Sequence, residues 1–173
     1  SLNPKDQPSV QIAGGLSLTG AIPQIETLLF SPFLLQGFSI VISDTQGQTA
    51  DFAAGPEYGT NTLDSIRAAI KSPAVSLSTS AKVAMIGYSG GAIATEWAAE
   101  LAPTYAPDLS KNLIGAAYGG VLVHPGHNLY YVEGSSIWAG VVPMAIIGIA
   151  RAYGIDLDPY LSANGKLIYE KLK

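Results

Sequence analysis

Residues 87–91 read Gly-Tyr-Ser-Gly-Gly and stand between two runs of different character. Before them, Lys82-Val83-Ala84-Met85-Ile86 has the length and apolarity of a short buried strand. After them, Ala92 to Leu101 is alanine-rich and reads as a helix. A Gly-x-Ser-x-Gly at a strand-to-helix turn holds its serine in a strained elbow with the hydroxyl presented outward. Such a turn needs small neighbours, and positions 87, 90, 91 and 92 are Gly, Gly, Gly and Ala. The bare pattern is weak: a chain with 19 glycines gives roughly 0.2 matches by chance. The setting carries the weight. It makes Ser89 a candidate nucleophile beside the positive end of a helix. The Gly90 N–H is then a candidate donor to a tetrahedral oxyanion. The plainer alternative is a glycine-rich turn with Ser89 as an ordinary helix N-cap.

The rest of the chain alternates between the two periodicities. Val10-Gln11-Ile12-Ala13 reads as a short strand ending at Gly14-Gly15. A helix is predicted from about Pro23, with Ile25, Leu28, Leu29 and Phe33 on its apolar face. Pro32 kinks or divides it, and Gly37 fits its stop. Gly37 to Asp44 is β-branched and aromatic and reads as a strand, followed by a polar loop to Thr49. Asn61 and Asp64 look like an N-cap with an acid at N3, with Leu63, Ile66 and Ile70 facing inward. Residues 73–80 form a loop, and another begins at Ala102-Pro103. Leu113 to Gly120 reads as a further strand.

This alternation predicts an α/β chain: an α/β-hydrolase-like, mostly parallel sheet with crossover helices. After Gly120 the pattern changes to two or three helical runs, the last opening at Asp156. Residues 1–121 are therefore expected to form a partial hydrolase core carrying the elbow. Residues 122–173 are expected to form a helical cap or lid.

Composition removes several classes. Apolar residues make up 48% and charged residues 13%, enough apolar surface for a sizeable core. A net charge of −4 and the absence of a basic patch argue against nucleic-acid binding. With no cysteine there is no disulfide or thiolate metal site. Gly14-Gly15 to Gly20 does not fit a nicotinamide fingerprint, and no phosphate-binding loop or metal cluster stands out, so no cofactor is expected. Residues 134–150 carry no charge but are interrupted by Gly140, Pro143 and Gly148. They are shorter than the ~20 residues that span a bilayer, so a buried helix or apolar lid is expected rather than a transmembrane segment. The polar start, Ser1 to Asp6, has no signal-peptide character, so either the chain is cytosolic or its leader has been removed.

A serine nucleophile needs a general base and an acid that orients it. The two histidines, His124 and His127, follow Ser89 by only 35 and 38 residues, directly after the last predicted strand. In this fold the histidine comes after the last strand of the sheet. His124-Pro125-Gly126-His127 therefore reads better as the loop where sheet passes to cap. Asp108, Glu133, Asp156 and Asp158 read as solvated loop or helix-start acids. Asp44, at a strand's carboxyl end, could touch a substrate, but a turn-forming aspartate is the plainer reading. Gly14-Gly15 could donate to an oxyanion, and a tight turn is again plainer.

Several segments together resemble the secretory lipase family. They are Asp44-Thr45-Gln46-Gly47 through Ala54-Gly55-Pro56-Glu57-Tyr58-Gly59, then Leu63 to Ala69, Lys82 to Ala92, Trp97 to Leu109, and Gly115 to Val121. The resemblance covers most of residues 36–121 and continues more loosely to the C-terminus. It implies a secreted α/β-hydrolase acting on long-chain esters and triacylglycerols under a helical cap. By match, Ser89 is the nucleophile and Gly90 one oxyanion donor. The family's second oxyanion donor is an aspartate upstream of the segment matching Ser1 to Ser9. Its triad acid and histidine lie beyond the cap. None of the three has a counterpart here, so the chain resembles a middle fragment, and a second polypeptide carrying the acid and histidine is one expectation.

The expected function is thus a serine ester hydrolase, a lipase or carboxylesterase forming an acyl-enzyme on Ser89. Trp138, Val141, Met144, Ile146 and Ile147 could line an acyl tunnel, although core packing explains each of them as well. The alternatives are a non-catalytic lipid- or partner-binding α/β-hydrolase fragment, and an acyltransferase or peptidase on the same fold.

Overall fold

The computed structural model describes residues 3, 7–13, 21–136 and 138–172. Helix α1 is Pro8–Ala13, α2 Ala21–Leu35 and α3 Gly55–Lys71. Strand β1 (Val83–Tyr88), helix α4 (Gly90–Tyr105) and strand β2 (Leu113–Gly119) follow, then α5 (Pro125–Val132), α6 (Val141–Tyr153) and α7 (Ala163–Leu172). The two strands pair in parallel, from Val83 with Leu113 to Tyr88 with Gly119. The register slips between Val83 and Ala84, a bulge at the start of the ladder. Residues 83–119 are thus one β-α-β unit, and the elbow is its first turn.

Helix α3 forms where it does because Pro56 suits a first helical turn. Its buried residues Gly55, Tyr58, Gly59, Leu63 and Ile66 recur at helical spacing along one face. Gly55 and Gly59 let α4 come close. A Cβ at Gly59 would meet the Trp97 backbone at 2.7 Å, and one at Gly55 the Trp97 ring at 2.5 Å. Ala94 and Ala98 supply the small side of the contact from α4. Beneath it, Leu63, Ile66, Met85, Ala98, Ala106 and Leu109 form the core, with Ile70, Val83 and Leu113 against it. Leu63 is 0% exposed. Outside, Arg67 clamps α3 to the end of α4: it pairs with Asp64 and Asp108, donates to the Tyr105 carbonyl, and lies 5.1 Å from the Tyr105 ring centroid.

Strand β1 alternates between a covered and a bare face, and β2 is exposed throughout from Ile114 to Tyr118. Met85 is buried, whereas Ile86 (66% exposed), Tyr88 (78%) and Ile114 (65%) point away from α3 and α4. Parallel strands ordinarily have both faces covered.

Several expectations need correction. Val10–Ala13 lies in helix α1, not in a strand. Pro8 opens that helix, and Asp44 takes the Ser9 N–H at 3.0 Å and also the Ser9 hydroxyl. Residues 38–44 have no strand partner among the described residues, and Phe38, Val41 and Ile42 are exposed. Asn61 is not an N-cap: α3 starts at Gly55, and the Asn61 amide donates to the Thr45 carbonyl at 3.1 Å. Helix α4 continues through Pro103 to Tyr105. The residues from Asp156 make only a 3₁₀ turn at Asp158–Tyr160 before α7.

Other expectations match. Helix α2 contains Pro32 and stops at Gly37, whose φ is +85°. The Phe38 N–H bonds the Phe33 carbonyl and the Gly37 N–H that of Leu34, a Schellman stop. The uncharged stretch supplies α6, and among the described residues no helix is long and apolar enough to cross a membrane. Gly14, Gly15 and Gly20 lie outside the described residues.

Candidate functional site

Ser89 has φ 54° and ψ −114°, a conformation an L-residue rarely adopts. The surrounding sequence enforces it. A Cβ at Gly87 would stand 2.5 Å from Thr95 Oγ1 and closer still to the Gly91 carbonyl oxygen, so β1 and α4 meet only with glycine at 87. On the other side, the Ser89 N–H donates to the Gly119 carbonyl at 3.0 Å, tying the turn to the end of β2. Behind Ser89, its carbonyl accepts from Ala92 and Ile93 at 3.0 and 3.2 Å, which starts the helix. Gly120, at φ +62°, packs 3.2 Å from the Tyr88 ring at the position its Cβ would occupy. The turn is thus fixed by β1, α4 and β2 together.

The serine side chain makes no hydrogen bond among the described residues. It makes no capping bond to α4, and Ser89 is exposed, as are Gly90 and Gly91. An ordinary N-cap would spend its Oγ on a first-turn N–H. Here the first-turn donors, beginning with Gly90, are left beside an unoccupied hydroxyl, and no acidic residue in that turn offsets the dipole.

The structure does not bring a base to Ser89. His124 is the N-cap residue of α5 and His127 lies one turn on. Their rings stack at 4.6 Å between centroids, and neither bonds Ser89 among the described residues. The acids are engaged elsewhere. Arg67 grips Asp108 at 2.7 and 3.0 Å, and this bonding holds the Asp108 carboxyl below the usual carboxylate range. Asp156 accepts the Asp158 N–H, and Asp158 lies 3.7 Å from Lys166 Nζ. Glu133 ends α5 on the surface. Asp44 is occupied by Ser9 at the rim of an open depression of about 430 Å³, which also includes Gly47, Asn61 and Asp64 but not Ser89. Of the expected tunnel residues, Ile147 is buried, Val141 and Met144 are half-buried, and Trp138 and Ile146 are exposed.

One pair escaped the sequence reading. Asp51 is 3% exposed, and its Oδ2 accepts from Thr49 Oγ1 at 2.6 Å. Its Oδ1 is buried with no donor among the described residues. Glu57, in the first turn of α3, faces it. Burial, a hydrogen bond to Asp51 and the Asp51 charge push the Glu57 carboxyl up to about 7, against a lowering contribution from Asn61. Nearby, burial pushes Tyr58 up to about 12, and its hydroxyl accepts the Ala53 N–H at 2.9 Å.

Residues 12–168 match the secretory lipase family. Lipase 1 of Candida albicans is 42% identical over 154 residues, which cover 88% of this chain and 33% of that protein. A secreted triacylglycerol lipase, LIP1 of Malassezia furfur, is 36% identical over 129 residues, 75% of this chain and 26% of that protein. The closed-state structure of Candida antarctica lipase A covers the whole chain at a TM-score of 0.87 and 32% identity, using 40% of its own length. The chain therefore spans about a third of the length of the curated relatives it matches. On the elbow turn, the β-α-β unit and these matches, the chain belongs to the secretory lipase family.

Proposed function

We propose that the protein carrying this chain is a secreted serine lipase or carboxylesterase acting on lipid or other long-chain acyl esters. The observation that carries this reading is Ser89: an uncommitted hydroxyl held at positive φ between β1 and α4, in a secretory lipase sequence. Ser89 Oγ attacks the ester carbonyl and its proton passes to a histidine. The Gly90 N–H, at the positive end of α4, stabilises the oxyanion as the tetrahedral intermediate forms. Collapse expels the alcohol and leaves an acyl-Ser89 ester, which water hydrolyses by the reverse path. The histidine and its acid come from outside residues 1–173. A separate second polypeptide for them has no support in the comparisons, whose matched lipases are themselves longer chains. Residues 122–173, with α5 to α7, serve as the cap. This assignment is supported by the seat of α6 against the 45–54 loop, where a Cβ at Gly148 would meet Phe52 Cα at 2.7 Å.

The test is intact mass after treatment of the full-length protein with a fluorophosphonate, with p-nitrophenyl ester hydrolysis alongside. One probe per molecule, absent in Ser89→Ala, with hydrolysis lost in the same variant, is expected. Unlabelled protein with no hydrolysis overturns the enzyme reading in favour of a binding module. Transfer of the acyl group to an added alcohol in preference to water marks an acyltransferase.

A further inference from the structure

We propose that Asp51 and Glu57 share one proton and act as a pH-sensitive latch, holding the 49–54 loop against α3 and so fixing the seat of α6. The case starts from the orphaned Asp51 Oδ1, which is buried and meets no N–H or O–H donor among the described residues. A buried acceptor left unpaired is costly, and a buried carboxylate beside a second carboxylate is costlier. Both costs disappear if Glu57 keeps its proton and donates it to Asp51 Oδ1. The fold brings Glu57 to the same turn: its Oε1 lies against Gly47, and the neighbouring Gln46 carbonyl takes the Asp51 N–H at 2.9 Å.

The loop they hold is one that does not hold itself. Ala50 and Ala53 have φ of 56° and 66°, a region that disfavours residues with a Cβ. Their conformation needs support, and Asp51 between them provides it: Oδ2 binds Thr49, and in the latch Oδ1 takes the Glu57 proton. The same loop is the floor for α6. Gly148 packs directly on the Phe52 backbone, and Arg151 donates to the Thr49 carbonyl at 3.2 Å. Losing the proton sets two carboxylates against each other where the loop meets α3, which loosens the floor.

The groups around Glu57 are accounted for. From α3, Asn61 bonds its carboxyl and Tyr58 is a neutral phenol at these pH values. From the loop comes Asp51, with Gly47 under the carboxyl. From α6 comes Arg151, on the Thr49 carbonyl, and from α4 the uncharged Trp97 ring against Gly55. Asp44 and Asp64, at the adjoining depression, are occupied by Ser9 and by Arg67 and Tyr105.

Hydrogen exchange of residues 45–54 and 141–153 in the full-length protein, corrected for intrinsic rates, tests this between pH 4.5 and 8. In wild type, protection is expected to fall about ten- to a hundredfold across the window, a range already reduced for the solvent reaching Glu57. Glu57→Gln, whose amide donates to Asp51 at every pH, is expected to hold protection level. Parallel loss of protection in Glu57→Gln overturns the latch. So does restored wild-type protection at pH 8 on adding calcium or magnesium chloride, which would make the pair a cation site. If Glu57→Gln fails to fold, wild type alone decides: protection that stays flat from pH 4.5 to 8 overturns the proposal.

Discussion

Replacing Gly87 with alanine should damage the elbow far more than replacing Gly91. At position 87 the new methyl would lie 2.5 Å from Thr95 Oγ1, and its nearest neighbours are Gly91 backbone atoms, closer still. Backbone cannot rotate aside, so the N-terminus of α4 must retreat by about 1 Å or more to reach ordinary contact. Overpacking of that kind costs about 1–3 kcal/mol in stability. The same retreat moves Ser89 and the Gly90 N–H relative to each other, and a displacement of about 1 Å at a reacting centre can cost about 100-fold in rate. At Gly91 an added Cβ meets nothing within 4 Å, and its φ is not positive. Alanine there should hold or slightly raise stability, since it favours a helix over glycine by up to about 1 kcal/mol. The assays are the second-order rate of fluorophosphonate labelling and the urea midpoint, on the full-length protein. Gly87→Ala with a wild-type rate and midpoint would refute the argument, and so would equal damage from both variants.

Three further outcomes follow from the fold. Leu63→Ala, at a fully buried position, should lower unfolding free energy by about 2–5 kcal/mol in urea titration, because α3 and α4 cannot close on the space. Arg67→Lys should lower thermal stability and make it more salt-sensitive than wild type, because a lysine cannot reproduce the paired bonds to Asp108 while also serving Asp64 and the Tyr105 carbonyl. Glu57 gives a pH dependence of definite sign. Its carboxyl is raised from 4.5 to about 7 in the folded protein, so the folded state binds the extra proton between those values. Its contribution is complete below 4.5, shrinks as pH rises towards 7 and is gone above that. After allowance for solvent screening it amounts to about 1–2 kcal/mol, and the difference between wild type and Glu57→Gln across pH 4.5–8 measures it.

What the sequence disclosed well is local. Strand β1 and the elbow were legible because one apolar run, four small residues and one helical run specify them without distant partners. The stop of α2 at Gly37 was legible for the same reason. Pro103 was misread as a boundary because a proline removes an i→i−4 bond, yet α4 carries it and ends at Tyr105, only two residues on. Asn61 imitated an N-cap, and the stronger start at Pro56 lay five residues earlier. Residues 38–44 have strand composition, but a strand exists only with a hydrogen-bonded neighbour, and that is a long-range fact. Asp51 and Glu57 stayed hidden because the loop that presents Asp51 turns through two alanines at positive φ, Ala50 and Ala53, where sequence reasoning expects glycine.

The same division runs through the proposed chemistry. The strain at Ser89 is built within residues 83–120: Gly87 admits α4, the Gly119 carbonyl fixes the Ser89 N–H, and α4 begins on the Ser89 carbonyl. The positions of the proposed nucleophile and of its proposed oxyanion donor are therefore properties of a single β-α-β unit, which explains why its sequence is so readable. Activation is a different matter, because a histidine reaches Ser89 Oγ only through the packing of other elements. The uncovered sheet face, with Ile86 and Ile114, is where such packing is physically required, since parallel strands gain stability by covering both sides. Burial of that face and delivery of the base are then coupled. Substitutions such as Ile86→Asp should lower both folding stability and the rate at which Ser89 is labelled, without touching the turn itself. A variant of this kind that destabilises the protein yet leaves labelling at the wild-type rate would separate the two and break the argument.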